Sequence, residues 1–387
     1  MSEVVNIPQL RFPEFNGEWE EKALGVVATI TTGSTPSTSN NEYYDGDVAF
    51  VSPADIQGNR IVRSTKTTIT ELGLSVVREI KKRSTLFVCI GSTIGKVSQA
   101  GVNCATNQQI NALTAKNSFD NDFIYSLLEF KAPRIKLLAG VQAVPQINKS
   151  EFSRFKFTFP LLPEQQKIAA FLTAVDNKIE QLSKKQELLG EYKKGLMQQI
   201  FSQAIRFKAD DGSEFPDWEE KKLGGVGRIR KGSQLNKSEL TDTGDYPAIN
   251  GGINPSGYTD KWNTGKNTIT ISEGGNSCGY INFITSKFWS GGHCYSIEEL
   301  KGDVLNRFLF QYLKFNEHLI MRLRVGSGLP NIQKGEINNF KVNLPSLEEQ
   351  TKIANLLSSI DSKIEQVGKQ LRESKQFKKA LLQQMFV

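Results

Sequence analysis

Pro160-Leu161-Leu162-Pro163-Glu164-Gln165-Gln166-Lys167-Ile168-Ala169 returns, 185 residues later, as Pro345-Ser346-Leu347-Glu348-Glu349-Gln350-Thr351-Lys352-Ile353-Ala354. The likeness runs on from 160–201 to 345–386. Asp176 matches Asp361, Lys178-Ile179-Glu180-Gln181 matches Lys363-Ile364-Glu365-Gln366, Lys193-Lys194 matches Lys378-Lys379, and Gln198-Gln199 matches Gln383-Gln384. Apolar residues fall at Ile168, Leu172, Val175, Ile179 and Leu182, and again at Ile353, Leu357, Ile360, Ile364 and Val367. Steps of four and three alternate, which is the period of a coiled-coil seam. A few polar residues, Gln186 and Ser374 among them, take seam positions. Each copy predicts a rod of about 40 residues and roughly 60 Å. A rod with an exposed apolar stripe does not hold alone in water, and its simplest cover is the other copy. Ser346-Leu347-Glu348-Glu349 has the Ser-x-x-Glu pattern of a helix start, and Pro163 suits a first helical turn. Gly190, Gly195 and Gly368 weaken the rods locally without forbidding them.

What precedes each rod also repeats. Phe12-Pro13-Glu14-Phe15 and Glu18-Trp19-Glu20-Glu21-Lys22, then Leu24-Gly25, correspond to Phe215-Pro216-Asp217-Trp218-Glu219-Glu220-Lys221 and Leu223-Gly224. The exits correspond too, Pro145-Gln146-Ile147-Asn148-Lys149 with Pro330-Asn331-Ile332-Gln333-Lys334. Short strand-like runs (48–50, 61–62, 86–90, 110–113; 268–271, 280–284, 295–297) mix with helical patches at 122–138 and 304–322. They read as α/β or α+β. The chain thus divides into a globular domain at 1–159, a rod at 160–203, a second domain at 204–344 and a second rod at 345–387. An antiparallel pairing of the rods gives an internal pseudo-twofold repeat, a dimer made in one chain. Such a body suits two half-sites at fixed separation on a duplex, because twofold dimers read half-sites spaced by helical turns.

Composition sets bounds. The 387 residues are 38% hydrophobic and 23% charged, as in ordinary globular proteins. No apolar run approaches 18 residues, and Met1-Ser2-Glu3-Val4-Val5-Asn6 lacks the basic-then-apolar pattern of a leader, so a cytoplasmic protein is expected. Cys89, Cys104, Cys278 and Cys294 form no Cys-x-x-Cys clamp, and His293 and His318 lack zinc spacing, so buried thiols and no metal are expected. A net charge of +7 is compatible with a nucleic-acid partner.

Between matched openings and exits the two interiors differ. Gly91-Ser92-Thr93-Ile94-Gly95-Lys96 faces Gly275-Asn276-Ser277-Cys278-Gly279-Tyr280, sharing only glycines. One spacer residue is missing for a phosphate-binding loop and Val97 follows the lysine. Asn and Gln pair with adenine, Arg and Lys with guanine, Ser and Thr more loosely. The candidate base readers are therefore Ser34, Thr35, Ser37, Ser92, Thr93, Asn107 and Gln108 in the first half. In the second they are Lys231, Ser233, Asn250, Asn254, Asn276, Ser277 and His293. Arg60, Arg63, Lys82 and Lys96 belong to one basic group; Lys221, Lys222, Arg228, Arg230, Lys231 and Lys237 form another with no acid inside it. Both groups are either solvated surface or phosphate contacts. The outward rod residues Glu164, Gln165, Lys178, Glu180 and Lys193 are either solvated or a partner's dock.

The alternation of globular segment and rod, the second rod ending in Leu-Leu-Gln-Gln, with the twice-occurring proline, Glu-Gln, Ile-Ala signature, resembles the specificity subunit of type I restriction-modification systems. The resemblance implies two target-recognition domains that read the halves of a split DNA site. It further implies rods that set the spacer and dock two modification subunits. Those partners would carry S-adenosylmethionine and methylate adenine, and ATP-using restriction subunits would join them, so this chain itself would hold no cofactor and catalyse nothing. Two rivals stand beside it. An adenine methyltransferase requires Asn/Asp-Pro-Pro-Tyr/Phe, whereas Asn254-Pro255 continues Ser256-Gly257. A coiled-coil scaffold binding protein alone explains the rods but gives the divergent interiors no purpose.

Overall fold

The computed structural model describes residues 6–139, 145–326, 328 and 330–387. The leader reading of residues 1–5 lies outside them. Both rods are continuous α-helices, Leu162–Phe201 and Leu347–Met385. The chain forms two compact units, 1–185 with 367–387, and 186–366, so each unit contains part of each rod.

In the first unit Glu20–Ala23 pairs antiparallel with Lys156–Phe159, clasping the ends of the globular segment together. Inside the clasp lies a five-stranded sheet ordered Ala28–Thr32, Ile110–Ala115, Thr85–Val88, Val97–Ala100, Ile61–Val62. A three-stranded sheet of Thr67–Ile69, Tyr44–Val51 and Cys104–Thr106 accompanies it. The helix Asn121–Leu138, capped by the Asp120 carboxylate, packs beside the larger sheet. Its Phe123, Leu127 and Leu128 join Ile168, Ala169 and Leu172 from the start of the first rod and Leu381, Met385 and Phe386 from the end of the second in one core.

The second unit repeats this plan. Glu219–Lys222 pairs with Lys341–Leu344, and a four-stranded sheet runs Arg228–Lys231, Cys294–Glu298, Thr268–Ser272, Ile281–Ile284. That order matches the first four strands of the five-stranded sheet, although the two interiors share almost no sequence. Ile353, Ala354 and Leu357 from the start of the second rod share a core with Met197 and Ile200 from the end of the first. Phe201 sits against Trp218, Phe308 and Phe315 here, as Phe386 sits against Trp19, Phe123 and Phe130 in the first unit. The seam residues Ile168, Leu172, Leu182, Ile353, Leu357, Ile360 and Val367 are buried; Val175, Ile179 and Ile364 are half-buried.

The repeated polar residues are explained by the same arrangement. In the first unit the Lys378 ammonium meets Asp176 at 2.6 Å, and in the second Lys193 meets Asp361 at 2.6 Å. Each unit thus pairs the aspartate of one rod with the lysine of the other. Side-by-side copies in the same sense would instead set aspartate against aspartate and lysine against lysine.

Candidate nucleic-acid interface

In each unit the glycine turn links two antiparallel sheet strands. Gly91 and Gly95 have φ of +93° and +89°, Gly275 and Gly279 +73° and +86°, conformations that side chains resist, so the glycines survive where all else has changed. The turns are held alike by backbone. Gly91 N–H donates to Pro145 O and Gly275 N–H to Pro330 O, both at 3.0 Å; Gly95 donates to Val88 O and Gly279 to Ser272 O. Ile147 N–H donates to Cys89 O as Ile332 N–H does to Glu273 O. An antiparallel strand, Val97–Ala100, follows Lys96, so the turn lacks the helix that a phosphate-binding loop requires.

A second loop packs over each turn's neighbourhood. A Cβ on Gly33 would lie 2.2 Å from the Asn107 carbonyl, and one on Gly232 would lie 2.3 Å from the Ser290 carbonyl, so only glycine allows the approach. In the first unit this brings the Thr35 hydroxyl to donate to Gln108 Oε1 at 2.8 Å, beside half-buried Ser34 and exposed Ser37. Asn107 Nδ2 donates to Gln109 Oε1 at 3.0 Å, and Gln109 lies 3.4 Å from a Cβ built on Gly91, which carries exposed Ser92 and half-exposed Thr93 along. Six of the seven first-half readers, Ser34, Thr35, Ser92, Thr93, Asn107 and Gln108, therefore share one polar edge; the Ser37 hydroxyl bonds Ser39 within its own loop. Lys96 is half-buried, its ammonium 3.4 Å from the Pro53 carbonyl.

The second unit gathers its candidates round a cavity of about 540 Å³ that includes Lys231, Asn250, Asn276, Ser277 and His293 in its walls. Its floor was missed from sequence. Glu273, 13% exposed, accepts from Lys231 Nζ at 2.5 Å and from the Tyr295 hydroxyl at 3.0 Å, with His293 Nδ1 3.4 Å away on the rim. Burial pushes the Glu273 carboxyl up, but the hydrogen bonds from Lys231 and Tyr295 and the lysine charge outweigh it and hold the group below the usual carboxylate range. Ser277 donates to Gly251 O at 2.5 Å, and Asn250 Oδ1 accepts from His293 N–H at 3.2 Å. Asn254 and Ser233 are exposed and do not line this cavity. Among the described residues no cluster suits a metal ion, and all four cysteines are buried and free, Cys89 and Cys104 pushed up to about 12 by desolvation.

The basic groups fare differently from one another. Arg60 is interior: its side chain is 8% exposed, bonded to Gln99, Thr173, Asp122 and Asp176 and lying over the Tyr125 ring. It joins the sheet to the first rod and offers nothing to phosphate. Arg63 pairs with Glu180 at 2.7 Å on the surface, while Lys82 is exposed. In the second group acids arrive from far along the chain, from the end of the strand Cys294–Glu298 and the segment after it: Asp303 to Lys221, Glu299 to Arg228 and Glu298 to Arg230. The acid-free run of sequence is largely neutralised in three dimensions.

The family model for the type I restriction modification DNA specificity domain matches residues 16–189 and again 216–373. The chain belongs to this family. This specificity chain is 24% identical to the type I restriction enzyme MjaIX specificity subunit of Methanocaldococcus jannaschii, covering 94% of itself and 92% of that relative. It is 22% identical to the EcoprrI specificity subunit of Escherichia coli over 89% and 88% of the two chains. The crystal structure of a type I S subunit from M. genitalium superposes with a TM-score of 0.74 at 21% identity, covering 98% and 99% of the two chains.

One expectation about the signature of the specificity chain is overturned. Glu164 and Gln165 do not face outward; they are buried, as are Glu349 and Gln350. Glu164 receives Arg11 through two bonds of 2.7 Å and Trp19 Nε1 at 3.3 Å; Glu349 receives Arg206 at 3.2 and 2.8 Å and Trp218 at 3.2 Å. Gln165 Oε1 accepts from Asp120 N–H and Gln350 Oε1 from Leu305 N–H, tying each rod to its domain helix. The Ser346 hydroxyl caps Glu349 N–H, but the Glu349 carboxylate turns to Arg206 and does not close a capping box. The repeated Glu-Gln is an internal clasp between opening, domain helix and rod. Lys193 likewise pairs with Asp361 in the second unit.

Proposed function

We propose that this chain supplies DNA sequence specificity to a type I restriction-modification complex in the cytoplasm, each globular domain reading one half of a bipartite target. The carrying observation is that one backbone frame, turn and sheet alike, occurs twice with different polar side chains at its edge. That is what a reader of two unlike half-sites requires. Ser34, Thr35, Ser92, Thr93, Asn107 and Gln108 serve the first half-site; Lys231, Asn250, Asn276, Ser277 and His293 serve the second. Surface cations such as Arg63 and Lys82 contribute salt-sensitive phosphate attraction without sequence preference.

The rods pair antiparallel as a coiled coil along their length, a reading supported by the crossed Asp176–Lys378 and Asp361–Lys193 pairs. They set the unspecified spacer between half-sites and dock two modification subunits, which bring S-adenosylmethionine and methylate adenine; restriction subunits complete the assembly. The test is an exchange of residues 25–143 for the equivalent segment of a relative, followed by sequencing of methylated sites in cells. One half of the modified site should change and the other stay. A change in both halves, or in neither, refutes the assignment. A protein-only scaffold would give no methylation pattern that depends on this chain.

A further inference from the structure

The cavity floor of the second domain differs from its counterpart in the first by three contacting residues at matched positions. Strand pairing sets Lys231 opposite Tyr295 in one domain and Thr32 opposite Asn111 in the other. The carbonyls of Glu273 and Cys89 receive the same exit-segment amide. Lys231, Glu273 and Tyr295 thus replace Thr32, Cys89 and Asn111. In the first domain the trio is neutral and closes on itself: Thr32 Oγ1 donates to Asn111 Oδ1 at 2.7 Å, and Asn111 Nδ2 donates to Cys89 Sγ at 3.1 Å. The frame therefore folds without charge at this place, and the Lys231–Glu273 pair is not required by the architecture.

Its chemistry is that of a donor beside an acceptor. One N–H of the Lys231 ammonium is held by Glu273, leaving two to donate. The Tyr295 hydroxyl donates to the same carboxylate oxygen as Lys231, and the second oxygen lies 3.4 Å from His293 Nδ1 in the cavity wall. A bare phosphate is a poor occupant, because Glu273 repels it. An A·T pair presents in the major groove a donor flanked by acceptors and a methyl group, whereas a G·C pair presents two adjacent acceptors, guanine N7 and O6, next to one donor, cytosine N4. Two free ammonium protons beside one carboxylate oxygen match the second pattern.

We propose that Lys231 and Glu273 together read one G·C pair of the half-site bound by the second domain, Lys231 donating to guanine N7 and O6 and Glu273 accepting from cytosine N4. The assignment rests on the reading of this cavity as a DNA-facing edge. It is tested with the full complex of this chain and its modification subunits, by methylation of a duplex library with each position of the target substituted in turn. The unaltered complex should demand G·C at one position of the second half-site. Glu273→Gln should weaken that demand about tenfold at that position alone, in line with the roughly 5- to 150-fold that a paired contact confers. Lys231→Met, whose half-exposed side chain leaves the core untouched, should do the same and serves if Glu273→Gln fails to assemble. If the unaltered complex shows no G·C requirement in that half-site, or if both variants keep every preference, the inference falls. If the 25–143 exchange leaves both half-sites unmoved, the parent assignment falls instead.

Discussion

Replacing Glu164 by Gln separates an internal clasp from a docking surface. Its carboxylate and the Arg11 guanidinium are 4% and 13% exposed and meet through two bonds of 2.7 Å. Removing one partner of a buried pair leaves an uncompensated charge and costs about 3–5 kcal/mol. Glutamine keeps the shape and one acceptor for Trp19, which places the substitution at the lower end, about 3 kcal/mol. A unit of roughly 200 residues loses about 2–4 °C of Tm per kcal/mol, so thermal unfolding followed by circular dichroism should fall by about 6–12 °C. Arg11→Met should cost a similar amount, and the double variant should cost less than the sum, because the orphaned partner is gone. A docking role predicts the opposite pattern: a change in Tm within the roughly 0.5 kcal/mol of ordinary surface substitutions, with weakened capture of the modification subunit. An unchanged Tm in Glu164→Gln would refute the clasp.

Two further outcomes follow from the ionic contacts. Lys193→Asp sets two carboxylates together and should destabilise the chain, whereas adding Asp361→Lys should recover about 1 kcal/mol in a denaturation double-mutant cycle, since the Gln311 amide, now donating to Asp361, can turn its unpartnered oxygen to the new ammonium; strict additivity would contradict crossed pairing. Burial pushes the Asp122 carboxyl up, but its bonds from Gln99 and Arg83 and the charges of Arg60 and Arg83 outweigh that and hold it below the usual carboxylate range. A depressed folded pKa contributes stability that is present above the unfolded value and lost as pH falls through the folded one. Melting between pH 5 and 2 should show that loss, as a shallower acid limb for Asp122→Asn; parallel limbs in the two proteins would count against it.

The rods were legible because a seam has a period and a duplication has an offset, and both survive in 160–201 and 345–386. The side on which Glu164 lies was also written there: 164, 168 and 172 are spaced by four, so the glutamate stands on the seam face with Ile168 and Leu172. Placing Glu164 on the outward face set that spacing aside, whereas the spacing itself puts it inward. Arg60 was illegible for a different reason. Its acids, Asp122 and Asp176, are 62 and 116 residues away, and nothing local distinguishes a buried arginine from its exposed neighbour Arg63. The common sheet order was hidden because strand pairing is made by backbone groups, which constrain side chains little beyond burial. Glu273 stands immediately before Gly274-Gly275, at the place held by Cys89, and comparing the residue just outside each glycine turn would have found it.

That division of labour bears on how a specificity chain diverges. The turn that presents 91–96 or 275–280 is fixed by glycine φ and by backbone bonds to Pro145 or Pro330, and the helix ends are fixed by the Arg11–Glu164 and Arg206–Glu349 clasps. Neither set of contacts uses the side chains at the polar edge. A substitution such as cysteine for glutamate at the cavity floor can therefore alter what is recognised while leaving the bonds that hold the frame in place. Two domains with one frame diverge independently for the same reason, because Thr32, Cys89 and Asn111 satisfy one another without reference to Lys231, Glu273 and Tyr295.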